Sequence, residues 1–142
     1  MKTDELELKL TASVSLIDLY FNNVKEQIDK AQKVNNRYTQ NKYVRSACGT
    51  LYLALLIILD EILIFHKKNL KRDEKNYTNY MAKLKTINKT WMVNYKEAYD
   101  LLHLKGYYGE RGEFTPEDWQ KAKGIVNDFY NIFKKLNNIA IE

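Results

Sequence analysis

Six side chains in two short stretches carry the groups best suited to binding or chemistry: Lys42 and Arg45, then His103, Tyr107, Tyr108 and Arg111. The cations suit an anionic ligand and the tyrosine rings suit stacking. His103 changes charge near neutral pH. The run from His103 to Phe114 holds three of the five glycines, and adds Lys105 to the imidazole, the rings and Arg111. It leads into a helix start whose free amides favour anions, so this connection is the foremost candidate site. The same glycines and tyrosines also suit a plain turn packed over a bundle end. For His103 a structural hydrogen bond is expected ahead of general acid–base work.

Other chemistries are set aside by residue type and spacing. The two histidines lie far apart and a single cysteine cannot build a thiolate site, so no metal is expected. Phosphate-loop, nucleophile-elbow and dinucleotide signatures are absent, and no cofactor is expected. Asp60 and Glu61 are adjacent, which places them about 100° apart on a helix and not as a catalytic pair.

The elements that must position these residues begin with Ala47 to Phe65, ACGTLYLALLIILDEILIF, with Leu51 to Leu59 unbroken and apolar. A helix apolar nearly all round is surrounded by neighbours. It reads as helix two, about 40–66, central to an all-α, four-helix up-and-down bundle, its faces covered by other helices or by a second copy of the chain. Ala47, Cys48 and Gly49 allow a close helix approach there. Tyr52 is buried by its surroundings, and its hydroxyl must find a partner.

Helix one follows Val14, Ile17, Phe21, Val24, Ile28 and Ala31, with residues 1–12 loosely held or opening it. Helix three runs continuously through Tyr77, Met81, Leu84, Trp91, Tyr95, Ala98 and Leu102. Helix four opens with Thr115 as cap and Pro116 in the first position. It buries Trp119, Ala122, Val126, Phe129, Phe133 and Leu136. One domain over residues 1–142 fits the length.

The chain carries a net charge of +5, unevenly spread. Residues 67–96 hold nine basic groups against Asp73 and Glu74, and the remainder is slightly acidic. Lysines interleaved there with Tyr77, Tyr80, Trp91 and Tyr95 could form a phosphate-and-stacking surface for RNA or a nucleotide, as could the 103–114 connection. They equally describe an amphipathic helix with rings inward. One cysteine and the lack of a leader-like start suggest a reducing, cytoplasmic setting. Asp60–Glu61 interrupt the apolar run before the ~20 residues of a membrane span, so no membrane is expected.

Two motifs resemble a known family. Lys42-Tyr43-Val44-Arg45-Ser46-Ala47-Cys48-Gly49-Thr50-Leu51-Tyr52 and Leu102-His103-Leu104-Lys105-Gly106-Tyr107-Tyr108-Gly109 resemble an uncharacterised bacterial family of small helical proteins, a domain of unknown function. The layout over residues 13–138 is similar to HEPN-like bundles. That resemblance implies a four- to five-helix bundle and a homodimer. Many HEPN-type proteins are ribonucleases, or partners of nucleotidyltransferases in toxin–antitoxin pairs. Their Arg-x4–6-His signature is absent after Arg37, Arg45, Arg72 and Arg111, so catalytic residues are not carried over. The expectation is a non-catalytic binding or partner protein. The alternatives are a HEPN-like ribonuclease or accessory subunit using His103, and a structural dimerisation module.

Overall fold

The computed structural model describes residues 3–139. Helix α1 (Thr3–Lys30) starts well ahead of the apolar stripe that opens at Val14, with Asp4 and Glu5 complementing the dipole of its first turn. The period-two leucines Leu6 and Leu8 lie on this helix, exposed. Further along, Ile17 and Val24 are buried and Val14, Phe21 and Ile28 pack beside them.

A hairpin follows that the periodicity does not announce. Strands β1 (Lys33–Val34) and β2 (Arg37–Tyr38) pair antiparallel, Lys33 with Tyr38 and Val34 with Arg37. Asn35 and Asn36 form its turn with φ of 54° and 59°. Two left-handed residues match the twist of a two-residue hairpin, and asparagine tolerates that region better than most.

Helix α2 (Asn41–Phe65) makes its main contacts with α1, with α5 (Pro116–Leu136) and with the segment Tyr99–Tyr107. Its Leu55, Ile58, Leu59 and Ile62 are fully buried. The chain's own helices leave one side of it open: Leu53 is 51% exposed and Ile64 48%. The acidic pair Asp60–Glu61 lies inside the helix, whose bounds follow the expected 40–66. By length and composition alone α2 is apolar enough to cross a membrane, a test that core helices also pass, and half of its most apolar window is buried here.

The expected continuous third helix is divided. Helix α3 (Tyr77–Ile87) and helix α4 (Lys89–Ala98) meet at Asn88, whose φ of −158° and ψ of 114° break the helix. The Asn88 side chain then caps α4 by accepting from the Trp91 amide at 3.2 Å. Chain from Tyr99 to Tyr107 winds as a π-helix, so His103 and Tyr107 sit in helix and not in a loop. The division also turns the stripe: Tyr80, Leu84, Tyr95, Ala98 and Leu102 are buried, while Tyr77, Met81 and Trp91 are half-buried. Among the described residues the architecture is thus all-α with five α-helices, where four were expected, a π segment and a two-stranded hairpin.

Helix α5 begins as its sequence indicates. The Asp118 amide donates to Thr115 Oγ1 at 3.1 Å and the Thr115 amide donates to Asp118 Oδ2 at 2.9 Å. Its stripe from Trp119 to Phe133 is buried, with Leu136 half-buried at the end.

Candidate functional site

The site assembles where α2 meets the π segment, and absent side chains set their distance. A Cβ on Gly106 would collide with Cys48 Sγ, and one on Gly49 would come within 2.9 Å of Tyr107 Cδ1. The two glycines therefore let the segments approach until the Tyr107 ring lies over α2. Wide i→i+5 turns are rare and recur at functional sites. Here they bring Tyr99, His103 and Tyr107 into one row, with centroids 5.1 Å and then 6.3 Å apart and the last pair parallel within 4°.

His103 is half-buried among four tyrosines. Besides Tyr99 and Tyr107, it meets the Tyr52 ring at 5.0 Å and the Tyr108 ring edge-on at 4.9 Å. Among the described residues its side chain makes no hydrogen bond, and ring packing surrounds it. Burial lowers its pKa from the usual histidine value, opposed by the negative charge of Glu110, so the neutral imidazole is favoured. Behind it, Tyr52 and Tyr95 share a hydrogen bond of 2.8 Å between their hydroxyls, the partner that a buried Tyr52 required. Burial pushes the Tyr52 hydroxyl up to about 12, so it stays protonated.

Of the six residues expected to form the site, four come together. Arg45 Nε donates to the Tyr107 carbonyl at 2.9 Å and its guanidinium lies 5.8 Å from the Tyr107 ring, which in turn adjoins His103 and Tyr108. Arg111 lies to one side, its Nη1 3.4 Å from Asp100, which also holds Lys96. Lys42 is in the first turn of α2 with its ammonium 5.0 Å from the Tyr43 ring, apart from the others. Gly109, Arg111 and Gly112 have positive φ and form the turn before α5. The α5 start is not open to an anion, because Asp118 already occupies it and pairs with Lys105 at 2.8 Å.

Residues that spacing did not single out complete the surface. A groove runs along α2 from Ser46 to Asp60, between Tyr20 and Gln27 of α1 on one side and Tyr99, His103 and Tyr107 on the other. One compartment, about 550 Å³, lies over Gly49 and Leu53; its neighbour, about 470 Å³, reaches Asp60 and Tyr77. Both are of a size that small molecules use. In the second, Asp60 accepts from the Tyr80 hydroxyl at 2.7 Å and from Lys75 at 3.0 Å. Glu61 turns instead to α1 and accepts from Ser13 at 3.1 Å.

The basic window separates its two ingredients. Tyr80 and Tyr95 are buried, while Lys71, Lys85, Lys89 and Lys96 point outward. Two of the four rings that could have stacked on bases are therefore core, and Tyr77 and Trp91 are half-buried. Cys48 is fully buried, and burial pushes its thiol well above the ordinary range, which removes it as a nucleophile. Among the described residues there is no cluster of metal-ligating side chains.

Fold and groove together define a small all-α protein with an open, aromatic-walled cleft. The chain belongs to the family described as a domain of unknown function (DUF5618), whose model matches residues 12–127. A solved protein of unknown function from Dyadobacter fermentans is similar in fold, with a TM-score of 0.74 at 24% identity, covering 88% of this chain and 96% of that one. No curated protein matches.

Proposed function

We propose that this chain is a non-catalytic, HEPN-like binding module that takes its ligand in the groove between α1, α2 and the π segment. The observation that carries the reading is the lining of that groove. Aromatic rings, Leu53, Leu56 and a bare glycine backbone are open to solvent, while nearby charges are paired: Lys75 with Asp60, Lys96 and Arg111 with Asp100, Lys105 with Asp118. A neutral His103 walled by rings serves better as a stacking surface than as a proton relay. In a fragment screen read by two-dimensional NMR, shifts should cluster on Tyr52, Leu53, His103 and Tyr107. Hits gathered on residues 67–96 instead would overturn this reading.

Self-association is the second reading, favoured by one observation. Leu16 and Leu19 of α1 and Leu53 and Ile64 of α2 are all at least 40% exposed, and apolar area of this kind marks contact surfaces. A homodimer at micromolar concentration that Leu53→Arg converts to monomer would support it; a wild-type monomer would count against it. The ribonuclease alternative is tested by one gel of end-labelled single-stranded RNA across a salt series. Cleavage lost in His103→Ala would favour an enzyme, and a salt-sensitive shift without cleavage would implicate phosphate contacts.

A further inference from the structure

Another cavity, of about 450 Å³, lies in the furrow between α1 and α5 and shares no lining residue with the α2 groove. Both helices pack on α2, whose Leu51 reaches the furrow between them. At one end the two helices are tied by the Tyr130 hydroxyl, which donates to Asp18 at 2.8 Å. At the other the hairpin is tied to the chain entering α5: Arg37 Nε donates to Glu113 at 3.0 Å, and the Asn36 amide donates to Glu117. The furrow is thus framed at both ends, and its volume is one that small molecules use.

Its lining joins apolar groups to an unbalanced set of charges. Phe21, Tyr38 and Trp119 bring rings to it, beside Val24 and Ile28. Lys25 of α1, Lys33 of the hairpin and Lys123 of α5 line it too, all exposed and none in an ion pair among the described residues. Asp29 is the one carboxylate in the lining, so three positive charges stand against one negative, an excess of two. The ties of the hairpin keep that excess in place, because they already occupy Glu113 and Glu117. Lysine stems lie along apolar walls with the ammonium in water. Like charges gathered around one cavity repel until an anion enters.

We infer that this furrow binds a small aromatic phosphate monoester, its ring against Phe21 and Tyr38 and its phosphate among Lys25, Lys33 and Lys123. The charge excess selects the head group: a phosphate monoester carries close to two negative charges near neutral pH, where a carboxylate or a sulfate ester carries one. The rings select the body. The site is separate from the α2 groove, and neither reading depends on the other.

The test is a titration of the full chain with 1-naphthyl phosphate, 1-naphthyl sulfate and inorganic phosphate, read by two-dimensional NMR at about pH 8 and low salt, where the phosphate ester is a dianion. Naphthyl phosphate is expected to shift the Trp119 indole signal, assigned by its persistence in Trp91→Phe, together with the Lys33 and Tyr38 amides. It should bind about fivefold tighter than either companion, the gain that one more exposed charge contact provides. Lys25→Gln combined with Lys123→Gln removes the charge excess. The pair should abolish the preference for phosphate over sulfate with little change in melting temperature, since neither ammonium is paired. Asp29→Asn should strengthen the preference. Equal binding of the two esters to wild type, inorganic phosphate binding as tightly as the ester, or a preference that survives in the double variant overturns the inference. So does a wild type that shows no response at Trp119, Lys33 and Tyr38. If the shifts fall on Tyr52 and His103 instead, the phosphate inference falls and the α2 binding module stands.

Discussion

The two faces of α2 both carry large apolar side chains and are opposite in circumstance. On the inner face Leu55, Ile58, Leu59 and Ile62 are fully buried against α1, α5 and the π segment. On the outer face Ser46, Thr50, Leu53, Ile57 and Ile64 form a line that is half-buried or exposed. Hydrophobicity states that a side chain gains from cover; it does not state that the chain itself provides the cover. The inner face spends its apolar area on stability, and the outer face keeps it available for a ligand or a second copy.

That contrast breaks first under truncation. Ile58→Ala should destabilise the protein by about 2–5 kcal/mol through lost burial and a residual cavity, whereas Leu53→Ala should stay within about 0.5 kcal/mol. Chemical denaturation of both variants checks this, and equal losses would erase the distinction between the faces. The close approach that builds the groove wall comes next. Gly106→Ala drives a methyl into Cys48 and should cost about 1–3 kcal/mol. Adding Cys48→Ala should recover part of that loss, a coupling that independent sites would not show.

A similar or smaller effect is expected from Tyr95→Phe. It leaves the Tyr52 hydroxyl buried without its partner, at about 1–3 kcal/mol in thermal or denaturant unfolding. The smallest is a pH dependence from His103. Its folded pKa is lowered by burial, so the unfolded chain takes up the proton first as pH falls through about 6.5. Stability from this residue is therefore fully present above that pH and declines below it until the folded form is protonated too. Comparing wild type with His103→Phe between pH 5 and 7 reads the difference, and a wild-type profile that rises toward acid would contradict the sign.

Much of the framework was legible in the sequence because it rests on local rules. The cap at Thr115, Pro116 in the first position and the stripe from Trp119 to Phe133 follow from capping and helical periodicity, and all are observed. Tyr52 needed a hydroxyl partner, and Tyr95 supplies it. The division of the third helix was harder to see, because Asn88 is tolerated in a helix and acts as a breaker only once its side chain caps the next one. The π segment was harder still: no residue type marks a wide turn. Reading His103 to Phe114 as one loop followed from its glycines, yet Gly106 is a packing glycine inside the helix while Gly109 and Gly112 make the turn. In the site, Arg45, His103, Tyr107 and Tyr108 converge as their two motifs suggested. The outer line of α2 left a faint trace: Ser46, Gly49, Thr50 and Asp60 all fall on that side of an otherwise apolar helix.

The contact between Cys48 and Gly106 also gives the molecule a clock. The chain's one thiol is sealed under the π segment, so a disulfide reagent in solution can reach it only after α2 and that segment part. Labelling kinetics at increasing reagent concentration would then time the opening of this joint in the native protein, without a mutation or an attached probe. Should the rate match global unfolding, the groove wall is among the last parts of the fold to yield. A faster rate would show that the wall swings open while the rest of the core holds.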